Sequence, residues 1–266
     1  MAKIANDPIT AQHLAKFVDG GSDFAFEMRV VAAFRELGFQ CTHSGTYRDP
    51  VTDKIRQFDV RAFKDQNAST LALAVECKNV RPNYPLLLSA VPRTADEAFH
   101  DLLFFEAHPM RQVALIRSVS APQSVYKPGE MVGKNTDQVG RDAQGALVSG
   151  DQATFEKINQ ALNSCEDLVR QLVMKASPPF FRIIVPFLIL PAGVLWQVEY
   201  GADGALQSPP RQIERGTLYI NHGWSVDRDA LVGTITYRLS HLEVVTLDAL
   251  SAATDRWIRH GAGLVC

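Results

Sequence analysis

The sequence predicts an α/β fold built on a mixed central sheet with helices on its faces. Three observations carry that prediction. Residues 55–63 and 70–78 alternate apolar and polar side chains around a polar connection, KDQNAS, as a hairpin does. Residues 22–38, 152–175 and 248–260 read as helices, the second with apolar side chains at helical spacing. After Pro178-Pro179 the chain becomes strand-rich.

Taken in order, residues 1–21 read as a polar or loosely helical lead-in ending at Gly20-Gly21. Ser22 or Asp23 caps the helix that follows, and Gly38 is suited to stop it. Residues 39–47 read as a first strand, and Asp49-Pro50 with Thr52-Asp53 as a turn. The hairpin comes next, then a proline-rich link at 82–92, a helix over 94–107 and a buried strand at 112–119. Residues 120–150 show no periodicity and read as a long mobile loop. The helix over 152–175 places Phe155, Ile158, Leu162, Cys165, Leu168 and Leu172 on one face. Strands are expected at 181–190, 193–200, 212–221, 232–238 and 243–246, before the last helix. The organisation is therefore a lead-in (1–21), a core (22–177) and a strand-rich part (178–266). That last part either extends the core sheet or forms a small subdomain, and extension is favoured.

Composition narrows the classes. With 266 residues, 46% of them hydrophobic and 21% charged, the chain buries a sizeable core and is not extensively disordered. A formal charge of −2 neither demands nor excludes a nucleic-acid partner. Cys41, Cys77, Cys165 and Cys266 form no C-x-x-C pair, which argues against zinc and against a disulfide framework. The start, MAKIANDPIT, lacks the apolar stretch of a signal peptide, and the run at 180–198 is broken by Arg182, Pro186, Pro191 and Gly193. Two strands joined by a turn fit that run better than a membrane span, so a soluble, cytoplasmic protein is expected.

Strand parity points to the chemistry. In 70–78, Leu71, Leu73, Val75 and Cys77 share one face; Ala72, Ala74, Glu76 and Lys78 share the other. Pairing Phe63 with Thr70 sets Phe58 against Val75 and Val60 against Leu73. The same register makes Asp59 the diagonal neighbour of Glu76, with Gln57 opposite Glu76 and small alanines leaving space. Two carboxylates and an amine on one face suit phosphodiester hydrolysis. Carboxylate oxygens hold Mg²⁺, the ion activates water and stabilises charge on phosphorus, and a lysine orients or deprotonates the nucleophile.

Asp59 followed by Glu76-Cys77-Lys78 at a strand end resembles the core motif of the PD-(D/E)XK, restriction-endonuclease-like nuclease superfamily. Glu27 in FAFEMRVVAAFRELGF matches the glutamate that members often carry on the preceding helix, and Phe58 stands where the name-giving proline would be. The match covers residues 22–78 and extends loosely to 119. It implies a restriction-endonuclease-like fold and metal-dependent endonuclease activity on DNA rather than RNA. Asp59, Glu76 and Glu27 would hold Mg²⁺, with Mn²⁺ able to substitute, and Lys78 would be the catalytic lysine. Double-strand cutting is compatible with a homodimer.

Each residue also has a plain reading. Glu76 and Lys78 fit an ordinary pair at a strand end, and Asp59 and Gln57 fit solvated hairpin positions. Glu27 lies between Phe24, Val31 and Phe34, where a carboxylate needs a partner, and a metal would supply one. Residues 111–141 carry five basic and two acidic side chains, so Lys127, Lys134 and Arg141 are candidate phosphate contacts or ordinary surface charges. The seven histidines show no H-E-x-x-H spacing, and no phosphate-binding G-x-x-x-x-G-K-[ST] loop is present. A non-catalytic nucleic-acid-binding or protein-interaction module is the alternative reading.

Overall fold

The computed structural model describes residues 6–66, 68–108, 111–150, 152–174, 181–229 and 233–264. The first two helices start where the sequence supplies caps. Thr10 and His13 exchange hydrogen bonds in a capping box that opens α1 (Ala11–Gly21), so the lead-in holds a formed helix. Ser22 Oγ accepts from the Ala25 amide to open α2 (Asp23–Glu36), and Gly38 leaves it at φ +80°.

The single strand expected at 39–47 is two, β1 (Gln40–His43) and β2 (Thr46–Arg48). They part at Ser44, whose φ is +55° and whose amide donates to the Asp59 carbonyl. Asp49 Oδ1 accepts from the Val51 and Thr52 amides, and this turn returns the chain as β3 (Ile55–Gln57), paired with β2. The hairpin proper is β4 (Val60–Gln66) and β5 (Ser69–Cys77). Its register pairs Val60 with Val75 and Phe63 with Ala72, two residues from the expected pairing. A shift of two keeps every side chain on its expected face.

Three expectations between 82 and 150 are overturned. The proline-rich link contains β6 (Leu86–Pro92), whose Leu86, Leu88 and Ala90 alternate inward. The helix expected at 94–107 is β7 (Phe99–His108), hairpin partner of β8 (Arg111–Ser120). Residues 99–103 are all buried, a two-sided burial that one helical stripe cannot give. About half of the expected loop is β9 (Met131–Arg141) and β10 (Leu147–Gly150). The inward side chains of β9 include Thr136 and Gln138, so apolar alternation was missing from the sequence.

The rest follows expectation more closely. Helix α3 (Gln152–Met174) buries Ile158, Cys165 and Leu168, while Phe155 stays exposed. The apolar run forms β11 (Phe181–Leu190) and β12 (Leu195–Tyr200), joined at residues 191–194. Strand β13 (Leu206–Gln212) was not expected, β14 (Arg215–Asp229) is longer than expected, and β15 (Gly233–Thr246) is one strand where two were expected. A short 3-10 turn (Leu247–Ala249) leads into α4 (Leu250–Gly263). No helix among the described residues is long and apolar enough to cross a membrane.

All of these strands except β2 and β3, which pair only with each other, make one large mixed sheet, with β11 parallel to both β5 and β15. Every residue of β11 is buried, as a parallel strand covered on both faces requires. The strands after residue 180 join the same sheet as the hairpin, but the hairpin sits near one end of its order, not in the middle. One face of β5 (Leu71, Leu73, Val75 and Cys77) packs against α2 and α4; the other (Ala72 and Ala74) packs against α3.

Phe58, just before β4, is fixed from two sides. Its ring lies over Gly45, where an added Cβ would come within 2.3 Å, and the Arg61 guanidinium stacks 4.2 Å from its centroid. Gly45→Ala should therefore lower stability by about 1–3 kcal/mol, as overpacking does, in a denaturant titration.

Candidate functional site

The hairpin and α3 together build the site. Asp59 precedes β4, and its Oδ2 accepts the Cys77 amide at 2.7 Å, which pins the carboxylate beside the end of β5. Glu76 lies one residue earlier on β5, with no solvent exposure. From α3, the Lys157 ammonium donates to Asp59 Oδ2 at 2.8 Å and to Glu76 Oε2 at 3.0 Å. One nitrogen thus spans both carboxylates. They converge, as the sequence reading requires, on a cation that the sequence reading did not identify.

Helix α3 reaches this position through polar clamps and small neighbours. Arg61 on β4 donates to Asp167 at 2.6 Å and to the Ser164 carbonyl, and Asn163 donates to Asp49 at 3.1 Å. Ala72 and Ala74 let Cys165, Leu168 and Val169 pack close to β5. The alanines expected to leave room for an ion instead admit the helix.

Burial drives the Glu76 carboxyl up to about 8, and the neighbouring Asp59 charge pushes the same way, against the pull of Lys157. Lys157 is held protonated far above its ordinary range: the two carboxylates outweigh the desolvation that acts against its charge. Glu76 Oε1 and the Tyr47 hydroxyl are buried without hydrogen-bond partners among the described residues. Tyr47 is itself pushed up by burial and by Glu76.

Lys78 leaves the strand just past β5, with its amide donating to the Ile189 carbonyl. Its amine is half-buried and is lowered to about 8 by desolvation first and by Lys157 second. It touches neither carboxylate in a hydrogen bond. Glu27 has found a protein partner, since His43 Nε2 lies 2.9 Å from its Oε2. Even so, Glu27, Asp59 and Lys157 line one open cleft of about 530 Å³, with Gln57 and Arg56 on its wall. Gln57 belongs to β3 and pairs with Thr46, so it does not stand opposite Glu76.

The basic candidates lie elsewhere. Lys127 donates to the Pro122 carbonyl, Lys134 pairs with Glu97 over the Tyr219 ring, and Arg141 donates to the Gly145 carbonyl. Lys134 and Arg141 are on β9, four places from β5 in the sheet, and none of the three lines the cleft.

Two carboxylate oxygens converge on one point with the hard donors a divalent ion takes, but the Lys157 ammonium occupies that point. Asp59 and Glu76 would hold such an ion in the place where Lys157 now reaches. A third side chain is not in position, and among the described residues no group of three or more His, Cys, Asp or Glu converges as a metal site.

Two outcomes follow from the triad. Lys157→Met leaves two enclosed carboxylates without their cation. It should cost about 3 kcal/mol in a denaturant titration, the low end for a broken buried pair because Glu76 can take up a proton. The pH dependence has a defined sign. His100, His241 and His260 are held at about 3, 2 and 4, chiefly by burial, so stability rises with pH up to about 6.5. Glu76 keeps its proton in the fold up to about 8 but loses it near 4.5 when unfolded, so its own contribution to stability falls as pH rises across that window, against the rise from the histidines and from Lys78, which is lowered to about 8. That one-proton contribution is at most about 1.4 kcal/mol per pH unit. The stability of the parent relative to Glu76→Gln should therefore fall between about pH 4.5 and 8; a flat difference would mean that Glu76 does not titrate in this way.

No family model matches the chain, and neither does any curated protein or solved structure. Its chemistry is read from the residues themselves.

Proposed function

We propose that the chain is a metal-dependent endonuclease of the restriction-endonuclease-like kind, hydrolysing phosphodiester bonds in DNA rather than RNA. The observation that carries the proposal is the convergence of Asp59 and Glu76 on a single cation position at the end of β5. Parity and the Cys77 amide put both carboxylates there independently of Lys157.

Asp59 and Glu76 are the residues that would hold Mg²⁺, which when bound activates water and stabilises charge on phosphorus. Lys78 is the proton acceptor of the reading. Its amine has no hydrogen-bond partner among the described residues and, at about 8, is neutral in part at neutral pH. Lys157 brings positive charge to the cleft wall, where a phosphate oxygen would lie. Glu27 and His43 form a fixed pair at the mouth beside exposed Phe24, whose ring meets His43 edge-on at 5.5 Å.

One observation favours a second reading. The Lys157 ammonium already bonds both Asp59 and Glu76, so the triad would serve as a structural cluster in a non-catalytic nucleic-acid-binding or protein-interaction module. Cleavage assays separate the two. The purified protein with Mg²⁺ or Mn²⁺ should cut plasmid or single-stranded DNA in preference to RNA. Asp59→Asn should abolish cutting, and Lys78→Ala should reduce it by about 10²-fold or more, the usual contribution of a positioned base. Absence of cleavage on every substrate with either ion would leave the non-catalytic reading, and full activity in Lys78→Ala would remove Lys78 from the chemistry.

A further inference from the structure

A second cleft, of about 510 Å³, has walls unlike those of the first. Arg93, Arg211, Arg215 and Arg256 line it, with Glu130 the one carboxylate on the wall and Met131 the one large apolar side chain. Cys77, Ile189, Val245 and Arg215 lie in register across β5, β11, β15 and β14. Arg215 therefore stands about 14 Å from the end of β5 at ordinary strand spacing. Arg256 comes from α4, which packs on the face opposite α3.

The arginines are held by groups beneath them. Arg215 Nε donates at 3.1 Å to Glu243, a fully buried carboxylate that also accepts the Tyr126 hydroxyl. Arg93 is nearly enclosed and fully engaged, donating to His241, Thr217, Glu130 and the Lys127 carbonyl. It forms the floor. Arg256 donates to the Val125 carbonyl and approaches Glu130, and Arg211 donates to Glu199 at 2.7 Å.

A guanidinium has five N–H donors. The terminal nitrogens of Arg215, and Nε and the second terminal nitrogen of both Arg211 and Arg256, have no partner among the described residues. Four guanidinium groups therefore face three carboxylates, Glu130, Glu199 and Glu243, each already bonded, while donors remain unspent around a common space. His241 beneath stays neutral, so it adds no charge. Planar donors in such a fork match the oxygens of a phosphate group, and the volume lies in the range of small-ligand sites. With a single apolar residue on the wall, a hydrophobic ligand has nothing to hold.

We infer that this cleft binds a small phosphate-bearing anion, of pyrophosphate type, through Arg215, Arg256 and Arg211. The site is separate from Asp59 and Glu76 and does not rest on the nuclease reading.

Isothermal titration with sodium pyrophosphate in metal-free buffer, against sodium chloride of equal ionic strength, tests it. Saturable binding is expected in the protein and in Asp59→Asn. Arg256→Gln should weaken it tenfold or more, and Arg211→Ala several-fold. Arg211 is largely exposed and bonded only to Glu199, so its removal leaves the fold intact. Pyrophosphate should also raise the melting temperature of the parent protein more than that of Arg211→Ala. Heats no larger than the chloride control would overturn the inference. So would equal affinity in both arginine variants, or tighter binding of citrate than of pyrophosphate.

Discussion

The ammonium of Lys157, set between the enclosed Glu76 and the pinned Asp59, fixes how the longest helix lies on the sheet. A carboxylate with no solvent exposure in a sheet interior is costly unless it is paired or protonated. Lys157 meets that cost from outside β5, and in doing so sets the rotation of α3 about its axis. The same rotation turns Ile158, Cys165 and Leu168 inward. It also presents Asn163 to Asp49 and Asp167 to Arg61, so helix, turn and hairpin are bound at three points.

A second constraint comes from β11. It pairs in parallel with β5 along nine residues, although more than a hundred residues of chain separate Cys77 from its partner Ile189. The intervening segment supplies β6 to β10 and α3, so the site at the end of β5 is completed only when distant segments meet. Its other edge is shared between β7 near its start and β15 near its end. Such a strand has no solvent face, which is why its sequence is apolar without alternation and can resemble a membrane segment.

What was legible in the sequence follows from these constraints. The faces of β5, the cap at Ser22 and the extent of α3 are local properties, written in periods of two and of 3.6 and in single residues. The register error of two was harmless because parity survives it. The strands β6, β7 and β9 were illegible for separate reasons: a proline-rich setting, burial on both faces, and a polar inward set that includes Thr136 and Gln138. At the site, Asp59 and Glu76 were legible because one hairpin joins them. Lys157 was not, since it lies next to the apolar stripe of a helix 98 positions away from Asp59 and nothing local marks it. Glu27 was read as a carboxylate in need of a partner that a metal would supply, and in the structure His43 lies 2.9 Å from it.

Stability alone does not account for the triad. A buried ion pair is often no more stabilising than well-packed apolar side chains of equal volume, because the charges must first be taken from water. Here one oxygen of Glu76 and the Tyr47 hydroxyl have no partner among the described residues, so the cluster is not fully satisfied. A triad kept only to hold α3 would gain from replacing Glu76 with leucine or methionine against the alanines beside it. Arg61 and Asn163 already clamp the helix to the hairpin and its turn. Retention of two converging carboxylates, with an unbonded lysine two residues beyond one of them, is better matched to a task in which the acidic oxygens change cations. That is the sense in which the ion pair supports the nuclease reading as well as the fold.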